Sequence, residues 1–330
     1  MKALTFSHYG GPEVMEWRDL PDPVPGGGEV CVRTRAIGMN FADCYRRQGR
    51  YHQKGEAPWI AGYEAAGEVE ALGPGVTGFK VGDRVAFADS PFAHAERVIV
   101  PLAKLIPLPD DIPFETAAAL LLQGLTAQYL VRDSHAIREG DSVLVHAAAG
   151  GVGLLLVQMA TLLGAEVMGI VSKESKIQPV LAAGAKEVVL FGADWPQASR
   201  DFRSRVDETG MVLSEGVDVV YDSVGSTLQM SLEAARTGGH VVFFGMAGGD
   251  PVPVDPRYLM DTSKSLTGGD LWNVLRTRED RLMRADELFD WVRRGHLKVH
   301  IAARVPLAQG AEAHRLLESR TTTGKVLLIP

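Results

Sequence analysis

The clearest chemistry in the chain lies between Ser142 and Gly153, Ser-Val-Leu-Val-His-Ala-Ala-Ala-Gly-Gly-Val-Gly. Val143, Leu144 and Val145 read as a short buried strand. Ala147 to Gly153 reads as a tight turn of small residues, and Leu154 to Leu163 as an apolar helix. Strand, glycine turn and helix open a dinucleotide-binding βαβ unit. The spacing is Ala148-x-Gly150-x-x-Gly153, with alanine for the first glycine. Bare backbone around Ala149, Gly150, Gly151 and Val152 lets a pyrophosphate approach, and the free N–H groups of the helix start favour an anion. Gly153 lets helix and strand pack closely. Gly164 to Val171 follows as a second strand, which sets this turn apart from a merely structural one.

The tip of that second strand selects the nucleotide. An enzyme for NAD places Asp or Glu there to accept from the ribose 2′-hydroxyl. Here the strand runs out into Val171-Ser172-Lys173-Glu174-Ser175-Lys176. Ser172 can donate to a 2′-phosphate and Lys176, or Lys173, can neutralise it. Each charge-assisted contact contributes about 1.5–3 kcal/mol. The residues point to NADPH; the plainer alternative is a solvated helix start.

Several elements must carry this turn. The 330 residues predict two domains. Residues 1–122 show short β-like runs broken by Gly and Pro, among them 29–37, 62–73, 81–87 and 95–100. A helix is expected over 114–122, and Gln123-Gly124-Leu125-Thr126-Ala127 leads into another. Residues 123–265 alternate strands (143–146, 167–171, 187–190, 217–221, 240–245) with helices (152–163, 174–183, 198–208, 227–237). That alternation predicts a parallel sheet covered on both faces. From 266 to 330 the chain returns to the first domain, with helices over 280–294 and 308–319 and a closing strand over 325–329.

The net charge of −7 gives no footprint for nucleic acid. No apolar run approaches a membrane span. The first residues read as a strand and not as a signal peptide. Two cysteines, Cys31 and Cys44, give neither a disulfide framework nor a four-cysteine zinc site. The expectation is a cytoplasmic protein with reduced thiols.

The chain resembles the medium-chain dehydrogenase/reductase superfamily, and within it the zinc-independent quinone oxidoreductase (zeta-crystallin-like) family. The resemblance rests on Ala36-Ile37-Gly38-Met39-Asn40-Phe41-Ala42-Asp43-Cys44-Tyr45, Gly62-x-Glu64-x-x-Gly67 and Val81-Gly82-Asp83-Arg84-Val85. It continues through His146 to Gly153, Tyr221-Asp222-Ser223-Val224-Gly225, Phe244-Gly245 and the stretch from Glu318 to Pro330. It implies an α/β protein: a GroES-like β-rich catalytic domain (1–122 and 266–330) with a Rossmann doubly wound parallel-sheet domain (123–265) inserted, and NADPH in the cleft. It also implies a homodimer joined through the Rossmann sheet edge, near Val241–Phe244.

By the same resemblance, Thr126, Phe244 and Gly245 would flank the nicotinamide ribose and Leu271-Trp272 would close over it. Arg320 and Lys325 would approach the adenosine phosphates. Phe191 stands where close relatives carry a tyrosine near the adenosine phosphate. Ser223, with Asp222, falls at the carboxyl edge of a strand, where α/β ligands bind, or caps a turn. Zinc-dependent relatives use a cysteine in the first motif and a His-Glu pair in the second; here those places hold Asn40 and Tyr63-Glu64. Cys44 and Glu64 alone do not make a catalytic zinc site, so no metal is expected.

Without a Lewis acid an alcohol is a poor hydride donor, whereas a quinone spreads the incoming charge over its conjugated ring. Asn40, Tyr45 and Tyr51 are the donors expected in the acceptor slot, with Asn40 bonding either the nicotinamide ribose or the substrate oxygen. The leading expectation is an NADPH-dependent quinone reductase acting without metal. The alternatives are a reductase of α,β-unsaturated ketones or aldehydes, and a low-turnover NADPH-binding protein with an RNA-binding or structural role.

Overall fold

The computed structural model describes every residue except 52, 54, 204 and 207–211, and only the backbone of 205–206 and 212–214. The chain divides into two units, Met1–Leu125 with Leu275–Pro330, and Thr126–Val274.

The second unit is built on six parallel strands: Ser142–Val145, Glu166–Val171, Glu187–Leu190, Val217–Asp222, Ala235–Phe243 and Ser265–Gly268. Across the sheet they lie third, second, first, fourth, fifth, sixth. This is the doubly wound order, whose reversal between the first and fourth strands opens a crevice at the carboxyl edge. Val143, Leu144 and Val145 have no exposure at all, as central strands covered on both faces require.

Several boundaries differ from those expected. The helix placed at 198–208 spans Trp195–Phe202, because Asp194 caps it, accepting from Gln197 N–H at 3.1 Å, and Pro196 fits its first turn. Beyond it, Arg205–Val206 pairs antiparallel with Val212–Ser214; 204, 207 and 208 lie outside the described residues. The helix placed at 227–237 stops at Ala234, since Ala235 already belongs to the fifth strand. Val241–Phe244 is not at the sheet edge. The fifth strand lies between the fourth and sixth, and the edge strand is Ser265–Gly268.

In the first unit, the strand Glu29–Gly38 is central. It pairs with Glu64–Leu72, Arg97–Pro101 and the closing strand Lys325–Ile329. The closing strand runs parallel to Ile301–Pro306 on its other side. Phe6, Ile37, Val85, Phe87, Leu105 and Leu328 are among its fully buried core residues. One helix, Phe114–Tyr129, replaces the two expected around Gln123. Gly124 does not break it. A Cβ there would meet Leu120 and Leu288 at 3.0 Å, so the glycine serves close packing against the helix Arg278–Arg293.

Candidate active site

Parallel strands end on one edge, and that edge gathers most of the residues singled out in the second unit. Ser172, Phe191, Ser223 and Phe244 are each the residue directly after a strand, and Ala149 to Val152 form the turn after the first. Gly150 caps the helix Gly151–Leu162, and its N–H donates to Ala147 C=O at 2.8 Å. Ala147 itself is left-handed, at φ 47°. A Cβ on Gly153 would press into the Ala147 carbonyl oxygen and stand 2.8 Å from Ala148 Cα. The helix start is therefore in backbone contact with the turn that leaves the strand, the close approach the third position of the fingerprint allows.

Lys176 is not a solvated helix start. It is 8% exposed, while Ser172 and Lys173 lie in the open. Burial, then the neighbouring Lys173 charge, pull its ammonium below its ordinary pKa. Phe191 is 47% exposed, and its N–H donates to Val171 C=O at 2.8 Å. Asp222 is a cap as well as an edge residue. Its Oδ1 accepts from Val224 and Gly225 N–H at 2.8 and 3.1 Å, and its Oδ2 from Ser231 Oγ at 2.7 Å. Ser231 in turn meets His146 Nε2 at 2.9 Å. This chain locks the Ser223 turn; a Cβ on Gly245 would stand 3.0 Å from Ser223 O. Leu271 is buried and Trp272 half-buried in the short helix Leu271–Val274, which belongs to this unit. Thr126 is half-buried near the end of the long helix.

The first unit holds a buried polar cluster. Glu64, with no exposure, accepts from Leu122 N–H on Oε1 at 2.6 Å. On Oε2 it accepts from Asn40 Nδ2 at 3.0 Å and Lys325 Nζ at 2.6 Å. Lys325 Nζ also donates to Asn40 Oδ1 at 2.8 Å. Burial pulls the Lys325 ammonium below its ordinary value, against the pull of Glu64. Two expectations are corrected here. Lys325 is 1% exposed and bound to Glu64, so its ammonium does not reach for adenosine phosphates. Asn40 is 4% exposed with both polar atoms committed to this cluster, so it positions its neighbours and is not a free donor to a substrate oxygen. Arg320 is exposed and left-handed, at φ 57°, just after the helix Gly310–Glu318.

Asn40 precedes the helix Phe41–Arg47, which sequence reading did not assign. Asn40 N–H donates to Asp43 Oδ2 at 2.8 Å, and the Asn-x-x-Asp spacing was the available signal. The helix carries Tyr45, 9% exposed, and a residue that went unnoticed, Arg46. Its guanidinium lies 3.4 Å from the Tyr63 ring centroid and 4.7 Å from that of Tyr51. Tyr51 and Tyr63 are thus brought together through a cation, a contact worth about 1–2 kcal/mol when desolvated. Asp43, on the same helix, is buried, as are His94 and His314. Burial pushes the Asp43 carboxyl up to about 6 and holds His94 down at about 3. His94 Nε2 stands 3.7 Å from Asp43 Oδ2, and the imidazoles of His94 and His314 meet in a T-shaped contact with ring centroids 5.9 Å apart.

These residues do not fit zinc. Zinc takes a thiolate, and burial pushes the Cys44 thiol well above its ordinary pKa, with Sγ 3.6 Å from His314 Nδ1. Both Glu64 oxygens are engaged, and Tyr63 carries a guanidinium where a further ligand would stand. Among the described residues, no group of three His, Cys, Asp or Glu could hold a metal ion. Nor is any helix long and apolar enough to cross a membrane.

A six-stranded doubly wound unit inserted in a β-rich unit is the architecture of a dehydrogenase or reductase of the medium-chain class. Residues 26–138 match the alcohol dehydrogenase GroES-like domain family and 183–328 the zinc-binding dehydrogenase family. The chain is 42% identical to quinone oxidoreductase of Pseudomonas aeruginosa, with 100% of this chain and 99% of that protein aligned. It is 39% identical to 2-haloacrylate reductase of a Burkholderia species, over 99% and 98%. The solved structure of Escherichia coli quinone oxidoreductase complexed with NADPH superposes with a TM-score of 0.93 at 37% identity, covering 100% of both chains. The chain belongs to the quinone oxidoreductase family of the medium-chain dehydrogenases/reductases.

Proposed function

We propose that this protein is an NADPH-dependent quinone reductase. The observation that carries the reading is its full-length identity to enzymes of that name, one of them solved with NADPH. NADPH, when bound, supplies the hydride. The chain's part is to bind, orient and exclude water. The N–H groups of the Gly150–Gly153 helix start would hold the pyrophosphate, and Ser172 with Lys176 the 2′-phosphate. In the first unit, Tyr51 and Tyr45 would orient the acceptor ring. Arg46, fixed against the aromatic rings, offers positive charge as the acceptor gains electron density.

A second reading, reduction of activated carbon–carbon double bonds, is favoured by the likeness to 2-haloacrylate reductase. Steady-state oxidation of NADPH and NADH with a panel of quinones and enones, with and without chelator, tests both; turnover of enones alone overturns the first. K176D should weaken NADPH at least tenfold and NADH less than threefold. Equal losses refute the phosphate assignment. We further propose a homodimer through the edge strand Ser265–Gly268, which among the described residues pairs with a strand on one side only. Light scattering of a T267P variant, expected to be monomeric, tests it. A cytoplasmic location is supported by the two buried free thiols, Cys31 and Cys44.

A further inference from the structure

The loop Asp89-Ser-Pro-Phe-Ala93 holds two non-glycine residues in the left-handed region. Asp89 is left-handed at φ 69° and Phe92 at φ 73°. Neither is glycine, and a bulky aromatic is an outlier in that region. Phe92 is also 41% exposed, and no ring contact holds it among the described residues. Both backbone strain and a ring in water oppose folding, and Phe92 combines them.

The loop is nonetheless firmly held. Arg281 binds Asp89 with both nitrogens, Nη1 to Oδ1 and Nη2 to Oδ2, each at 3.0 Å, with both side chains under 7% exposed. Lys104 Nζ donates to Asp89 C=O at 2.6 Å. On the far side, Ser90 N–H donates to Tyr63 C=O and Ala93 N–H to Gly62 C=O, each at 3.2 Å, and His94 N–H to Ala61 C=O at 2.8 Å. So the loop is bolted at one end by a buried bidentate ion pair and at the other to the backbone beneath Tyr63. Strain that its surroundings over-determine in this way is characteristic of functional sites.

We infer that Phe92 is a specificity-determining residue: an exposed aromatic on a loop bonded to the backbone of Gly62 and Tyr63, it contacts the ring of a flat, fused-ring acceptor and favours it over small acyclic ones. A planar conjugated acceptor gains most from an offset ring-on-ring contact. A small enone has too little face to use one. The inference rests on the reductase reading above.

The test compares wild type with F92G, F92L and F92Y. The acceptors are 1,4-naphthoquinone, 1,4-benzoquinone and methyl vinyl ketone, at saturating NADPH. Glycine suits the left-handed backbone, so F92G should keep or raise Tm, which separates loss of the ring from loss of fold. F92G and F92L should raise KM for naphthoquinone at least fivefold. They should change kcat, and KM for the ketone and for NADPH, less than twofold. F92Y should stay within twofold of wild type throughout. An unchanged naphthoquinone KM in F92G, or an equal rise for all three acceptors, overturns this role of Phe92 while leaving the reductase reading intact. A wild type that reduces neither quinone overturns the reading itself, and the role of Phe92 with it.

Discussion

Lys325 and Glu64 offer a direct measure of how the first unit is held together. Replacing Lys325 by Met keeps most of the stem and removes the ammonium. At 2.6 Å, an effective dielectric of about 20 gives a pairwise attraction of about 6 kcal/mol. Part of this is offset because the ammonium no longer has to be desolvated. What remains is a fully buried carboxylate with only the Leu122 and Asn40 N–H groups, and Asn40 Oδ1 loses its donor as well. Breaking one side of such a pair costs about 3–5 kcal/mol. For a unit of this size the loss corresponds to a fall in Tm of about 8–15 °C. The E64Q/K325M double variant carries no orphaned charge and should lose no more than about 2 kcal/mol. The coupling energy of the cycle should then exceed about 2 kcal/mol. Scanning calorimetry of wild type, both single variants and the double variant measures it. A K325M Tm within 2 °C of wild type, or simple additivity, would refute the reasoning.

Two further outcomes follow from the geometry. G153A places a methyl against the Ala147 carbonyl, and 2.8 Å from Ala148 Cα. It should weaken NADPH at least tenfold by isothermal titration and lower Tm, whereas G150A, whose Cβ meets Ala147 O at 3.1 Å, should do less. Acid should act on the buried pair with opposite signs. His94 titrates near 3 when folded and near 6.5 when unfolded. The unfolded chain therefore binds more protons across that window, and stability falls as pH drops, by about 2–3 kcal/mol between pH 6.5 and 4.5. Asp43, raised from 3.8 to about 6, binds its proton first in the folded chain and gains stability over the same range. H94F should flatten the acid side of a Tm-versus-pH curve and D43N should steepen it; the same slope in both sinks the assignment.

The second unit was largely legible because its signals are local. Runs such as Val143–Val145, the Gly150-x-x-Gly153 spacing and regular strand–helix alternation each lie within a few tens of residues. Boundaries moved where a cap acted, as at Asp194, or where packing overrode propensity, as at Gly124. The first unit was less legible because its site is assembled from distant segments. Nothing near Asn40 announces that Lys325 will be its neighbour, since that contact follows from strand register alone. A lysine opening an apolar closing strand was the single hint, and it was read as a phosphate ligand. Arg46 was missed for a related reason: stacking on Tyr63 and Tyr51 depends on how a short helix meets two loops.

The place of Lys325 bears on how the protein is made. The inserted unit, continuous from Thr126 to Val274, can form while the rest is still on the ribosome. The first unit cannot. Its Glu64 has no counter-ion until residue 325 emerges, and until then the carboxylate resists being drawn out of water. The closing strand thus acts as a completion check, and a product terminated before it is left with an open sheet edge and one unpaired carboxylate, Glu64, that proteolysis can find.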